Sequence, residues 1–121
     1  MDNHGNWWPS TVYDLLSNSR RRLVLYSLLD GDNATIDELT REIALTEGRA
    51  TDEDVMEEIE ISLVHNHVPR LVDHGIVEYD GRDDRVELTK RFDDIQAAVE
   101  RSKEIEVDGV PATQSEVFSD G

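Results

Sequence analysis

A mainly α-helical domain with a small β-hairpin is the fold class this sequence predicts, and three observations predict it. Apolar residues recur at helical spacing in successive stretches. A helix closed by Gly75 runs directly into an alternating strand. Two short alternating runs flank Gly81-Arg82-Asp83-Asp84. At 121 residues the chain holds one modest core and is too short for two, so one domain is expected.

Residues 1–9 are expected to be unstructured. Trp7 and Trp8 read as a hydrophobic staple against Val12 or Leu15, or as a partner anchor. Thr11 and Asp14 have capping-box spacing ahead of Leu15 and Leu16, which opens a short helix. Ser17, Asn18 and Ser19 offer the next cap, and Val24, Leu25 and Leu28 then share one helical face. Asp30-Gly31-Asp32-Asn33 is a turn by composition, and Ala34-Thr35-Ile36 a short strand. Thr35 and Glu38 repeat the capping-box spacing before Leu39 and Ile43. A loop from Thr46 to Thr51 contains Gly48, and Thr51 with Asp54 opens the next helix.

That helix carries a break. At 100° per residue Val55, Met56, Ile59 and Leu63 share one face, whereas Val64, Val68 and Leu71 share another, rotated by roughly a third of a turn. Either the helix bends near Glu60 to Ser62, or its first half packs on something other than the core. Pro69 lacks an amide donor and crowds the carbonyl four residues back, which predicts a kink.

Beyond Gly75, Val77 and Tyr79 alternate with Glu78 and Asp80, and Val86 and Leu88 with Glu87 and Thr89, giving the hairpin. Residues 90–105 place Phe92, Ile95 and Val99 along one stripe of a closing helix. An apolar stripe at the end of a small domain suggests pairing, so this helix is expected to form a homodimer interface through those three residues. The domain is bounded at 10–105, and 106–121 is expected to be a disordered tail.

Charge narrows the function. Twelve basic against 28 acidic residues give −16, and with lysine only at Lys90 and Lys103 the other 10 basic residues are arginines. The acids are interleaved with spaced apolar residues instead of forming a block, so the chain folds beneath a hydrated acidic skin. This composition resembles proteins of salt-accumulating halophiles, where screening removes the self-repulsion of such a charge. No run approaches the ~18 to 20 apolar residues that cross a bilayer, and the start lacks a signal-peptide layout, so a cytoplasmic protein without membrane contact is expected. The absence of cysteine removes disulfides, thiolate zinc sites and cysteine nucleophiles.

The order helix, helix, strand, helix, helix, hairpin, helix resembles the winged helix-turn-helix domains of the ArsR-like class, and more closely a family of small haloarchaeal winged-helix proteins. The resemblance rests on Leu15-Leu16-Ser17-Asn18-Ser19-Arg20-Arg21-Arg22, on Thr35-Ile36-Asp37-Glu38-Leu39, and on His65-Asn66-His67-Val68-Pro69-Arg70-Leu71 with Gly75-Ile76-Val77. It implies a DNA-binding transcriptional regulator on double-stranded DNA, with the helix before Gly75 entering a major groove and the hairpin as the wing. A homodimer would set two such helices about 34 Å apart on a pseudo-palindromic site.

For a helix in the groove, the residues opposite Val64, Val68 and Leu71 do the reading. The angles point to Ser62, Asn66, Pro69 and Asp73, flanked by His65 and Arg70. Asn66 suits bidentate pairing with adenine, Arg70 guanine or phosphate, and Ser62 and His65 phosphate or a base edge. The bland alternative is a solvated polar face. Arg82 and Arg85 on the hairpin reach for a minor groove or backbone, or pair with Asp83 and Asp84. Arg20, Arg21 and Arg22 form the only basic run, at a helix start where cations are slightly unfavourable, and either phosphate contact or carboxylate pairing explains it.

Glu57, Glu58 and Glu60 precede the candidate reading residues, so the competing expectation is a winged helix that contacts a protein partner and leaves DNA alone. His65 and His67 lie about 200° apart on a helix and cannot chelate one ion, so neither metal nor cofactor is expected, and His67 reads as a hydrogen-bonded core histidine. No nucleophile elbow or phosphate loop is present, and an enzyme is not expected.

Overall fold

The structure is a computed structural model that describes residues 4–109, with side chains from 10 to 106. Helix α1 spans His4–Leu16 and α2 Ser19–Gly31; strand β1, Asn33–Thr35, leads into α3, Ile36–Thr46. A long interrupted helix follows, built from α4 (Glu53–Ser62), a π segment (Leu63–His67) and α5 (Val68–Asp73). Strands β2 (Val77–Asp80) and β3 (Arg85–Leu88) form the hairpin, and a 3-10 turn at Lys90–Asp94 precedes α6 (Gln96–Lys103), which ends in a second π segment, Glu104–Gly109. The fold is mainly helical with a small three-stranded antiparallel sheet, a winged-helix-like arrangement with a hairpin wing.

Local chemistry sets these boundaries. The Asn18 side chain accepts from the amides of Arg20 and Arg21 and starts α2. Thr35 and Glu38 form both halves of a capping box at the start of α3. Asp52, one residue later than expected, caps α4 by accepting from the Val55 amide. At the end of α5, Gly75 takes φ 76. Its amide bonds to the Val72 carbonyl at 2.8 Å and the Ile76 amide to the Leu71 carbonyl at 3.1 Å, a Schellman stop that drops Ile76 onto Leu71 within the core.

The sheet order is β1-β3-β2, with Ala34 opposite Val86 and Val86 opposite Tyr79. Ala34 and Val86 face the core and their neighbours face solvent, as period-two alternation requires. The π segment resolves the two apolar faces of the long helix. There the Val68 amide bonds five residues back, to Leu63, and the extra residue in the turn brings Ile59 and Leu63 into one core with Val68 and Leu71. The break falls where Pro69 removes a donor, and no second buried surface is needed.

Three expectations are corrected. Phe92, Ile95 and Val99 are 2 %, 1 % and 0 % exposed within this chain, so they are not a dimer interface. The segment is a 3-10 turn followed by a break at Ile95 (φ −119), and α6 folds back on α1 and α2 to close the open side of the core. The first helix starts at His4, so residues 4–9 are helical; the side chains of Trp7 and Trp8 lie outside the described ones. Glu106 is held by Arg22 and Tyr26, so the expected tail boundary lies too early, and residues 1–3 and 110–121 lie outside the described residues.

Candidate functional site

The long helix presents one side to the core and one to solvent. Leu63, His67, Val68 and Leu71 are buried, which fixes the rotation of the helix and leaves His65, Asn66 and Arg70 exposed on the other side. Among the described residues, neither His65 nor Asn66 makes a side-chain hydrogen bond. Ser62 departs from the expected outward role: it is half-buried and its hydroxyl donates to the Ile59 carbonyl at 2.8 Å. The exposed surface of the same helix carries Glu57, Glu58, Glu60 and Asp73, together with Ile61 at 52 % exposure.

Arg70 is tied to the first helix. Its Nη1 donates to both Asp14 oxygens, at 3.1 and 3.3 Å, and His74, one turn further on, lies with Nε2 2.9 Å from Asp14 Oδ2. Thr11, one turn before Asp14, reaches the other ring nitrogen of His74 at 3.4 Å. Partial burial alone would raise the Asp14 carboxyl. The hydrogen bonds from His74 and Arg70 and the charges of Arg70 and Arg21 outweigh it and hold the group below its ordinary value. The hydroxyl–imidazole–carboxylate alignment ends on a buried hydroxyl, and it locks α1 onto the end of α5.

The basic run at the start of α2 is engaged internally, which favours carboxylate pairing over phosphate contact, the two explanations that its sequence leaves open. Arg20 pairs with Glu47 through Nε and Nη2, at 2.9 and 3.0 Å, and reaches Glu58 at 3.3 Å. Arg21 is buried, donates to the Asp14 carbonyl at 2.8 Å and lies against His67. Arg22 grips Glu106 with two donors and gives Nη1 to the Leu16 carbonyl at 2.8 Å. The physical reason is composition: in a chain with 28 carboxylates, arginines inside the fold find acids before any ligand does.

On the wing, Arg82 is almost fully exposed and lies 3.6 Å from Asp80, and Arg85 donates to Asn33. Asp84, an expected partner, instead accepts from the Tyr79 hydroxyl, and its carbonyl takes the Ile36 amide. His67 occupies the core place expected for it, 3 % exposed, with Arg21 as hydrogen-bond partner. Among the described residues, no group of three or more His, Asp or Glu side chains is placed to hold a metal, and no helix is long and apolar enough to cross a membrane.

Two clusters escaped the sequence reading. One is the Asp14–Arg70–His74 junction. The other is the Tyr26 hydroxyl, which contacts Ser102 at 2.6 Å and donates to Glu106 at 2.9 Å. Both join residues at least 56 positions apart in the sequence, and no local spacing marks them. The one signal in the sequence was Asp14 itself; the capping box expected for it with Thr11 does not form, because both residues lie inside α1 and their side chains turn to His74 and Arg70 instead.

Residues 13–87 match the family described as Domain of unknown function (DUF7344), and the chain belongs to that family. The match runs from the last turns of α1 to the third strand of the sheet and so contains every candidate reading residue of the long helix and the wing. No curated protein and no solved structure matches the chain.

Proposed function

We propose that this chain is a DNA-binding transcriptional regulator of winged helix-turn-helix type that works at high salt. The observation that carries the reading is the exposure of His65, Asn66 and Arg70 on the outer side of a helix whose inner side is locked in the core. Asn66 offers donor and acceptor together, the pattern that pairs with adenine, and Arg70 offers a planar donor pair for guanine or phosphate. Arg82 and Arg85 lie on the hairpin that follows this helix and supply the backbone contacts. Ser62 drops out of the reading set because its hydroxyl bonds within the helix.

Salt decides whether an acidic chain can do this. With three phosphate contacts, a tenfold rise in salt weakens binding by roughly 500-fold, so base contacts and close fit carry the affinity. At 1 M salt the screening length is about 3 Å, and the repulsion from Glu57, Glu58 and Glu60 no longer reaches the phosphates. The test is selection from random duplexes by the full chain in molar KCl, with Asn66→Ala and Arg70→Ala alongside. Enrichment of one sequence by the wild type, lost in the variants, supports the reading; equal recovery of all sequences overturns it.

A second reading is favoured by one observation, the 52 % exposure of Ile61 among Glu57, Glu58 and Glu60. An apolar anchor ringed by acids suits a basic protein partner. Capture of such a partner that is abolished by Ile61→Asp, with no enriched DNA, would replace the DNA reading by this one.

A further inference from the structure

We propose that Asp14 is a positioning residue for Arg70: its carboxylate holds the guanidinium through Nη1, so that the remaining donors meet a base or phosphate in one fixed plane. The proposal rests on the DNA reading above and adds to it a residue from another helix, 56 positions away.

Arg70 uses a single nitrogen to bond both Asp14 oxygens, and among the described residues its Nε and Nη2 make no hydrogen bond. Its side chain remains 47 % exposed. A guanidinium recognises guanine or phosphate with two coplanar donors, and the Nε–Nη2 edge is such a pair. Restraining the long side chain before binding removes a rotamer cost equivalent to roughly 2- to 12-fold in affinity.

Asp14 is a fit anchor because it is itself held from several sides. Its carbonyl accepts from Arg21 Nη2 at 2.8 Å, its Oδ1 lies 3.9 Å from the same nitrogen, and its Oδ2 contacts His74 Nε2 at 2.9 Å. Leu15 beside it is wholly buried and Thr11 one turn earlier bonds His74, so α1 cannot roll away from α5. Arg70 on α5 and His74 at its C-terminal cap are four residues apart, and the same carboxylate receives both. The opposite role, Asp14 as a competitor that occupies Arg70, predicts tighter DNA binding when the carboxylate is removed, and the sign of the effect separates the two.

The experiment compares wild type, Asp14→Ala, Asp14→Asn and Arg82→Ala as full chains in molar KCl. It uses selection from random duplexes and, without DNA, 15N relaxation of the Arg70 Nε–H group. We expect Asp14→Ala to flatten preference at one base position by about 5- to 10-fold, Asp14→Asn to flatten it less, and Arg82→Ala to weaken all sequences alike. Arg70 Nε is expected to be ordered in the wild type and mobile in Asp14→Ala; if the alanine variant does not fold, Asp14→Asn carries both measurements. Unchanged preference, tighter binding, or equal Nε mobility in wild type and variant overturns the proposal. A wild type that enriches no sequence overturns the DNA reading and Asp14's part in it, and the relaxation data then report the Asp14–Arg70 hold alone.

Discussion

Arg21 and His67 meet inside the core, with the guanidinium Nη1 3.5 Å from the imidazole Nδ1 and both residues buried. The ring is therefore neutral, accepting at Nδ1 and carrying its proton on Nε2. Burial first, then the charges of Arg21, Arg20 and Arg70, push the His67 pKa down to about 4. Because the folded value lies below the unfolded 6.5, the unfolded chain binds the extra proton as pH falls. Stability is then highest above about pH 6.5 and is lost down to about pH 4, by roughly 3 kcal/mol for this group. Denaturant unfolding in KCl at pH 7.5 and pH 4.5 reads the loss, and His67→Gln should remove most of the slope in that window. Asp14, Glu47 and Glu106 all sit below their ordinary values, so their contributions disappear only at lower pH.

The buried stripe of the closing segment makes a prediction opposite in kind to the dimer expected from its sequence. Phe92→Ala should lower stability by about 3–5 kcal/mol, since it empties an aromatic site in the core. Sedimentation of the folded fraction in molar KCl should be the same as for the wild type. A variant of unchanged stability whose mass falls by half would restore the interface reading and contradict the burial of Phe92, Ile95 and Val99.

Elements written in short-range chemistry were legible in the sequence. The Thr35–Glu38 box, the Asn18 cap, the Gly75 stop and the hairpin around Gly81 each need only three to six neighbouring residues, and each stands where the spacing put it. The break in the long helix was legible as a phase change in the apolar pattern, although periodicity cannot tell a bend from a π turn. Periodicity marks the closing stripe as apolar without showing that the chain's own core covers it. The candidate site was half legible. Asn66 and His65 are exposed because their neighbours on the helix are buried, which is a local fact. The fate of Arg20, Arg22 and Arg70 depends on carboxylates 27 to 84 residues away, and that of Arg21 on the Asp14 carbonyl and His67, all on other elements of the fold.

Gly75 should not tolerate a side chain. Its φ of 76 is costly for any residue with a Cβ, and a Cβ placed there meets Arg91 Cδ at 3.1 Å. The conformation alone costs about 1–2 kcal/mol, and Arg91 must shift in addition. Gly75→Ala should therefore lower the unfolding midpoint measurably. Gly31 offers the contrast, because nothing lies within 4 Å of the point a Cβ would occupy and its φ is ordinary, so Gly31→Ala near the end of α2 should be neutral or slightly stabilising.

The acids on the long helix give the last prediction, because salt separates their two readings. Glu57 and Glu60 are exposed, and neither forms an ion pair among the described residues, whereas Glu58 is engaged by Arg20. Replacing the first two together by glutamine removes two negative charges without changing size. If the helix faces DNA, the double variant should bind DNA several-fold more tightly in 0.1 M salt, where charges act over about 10 Å, and nearly as the wild type does at 1 M, where they act over about 3 Å. If the helix faces a basic protein through Ile61, the same variant should bind that partner more weakly, most of all at low salt. Titrating both affinities against KCl concentration distinguishes the cases by the sign of the change, and an effect of equal size at both salt concentrations would mean that the two carboxylates act through packing instead of charge.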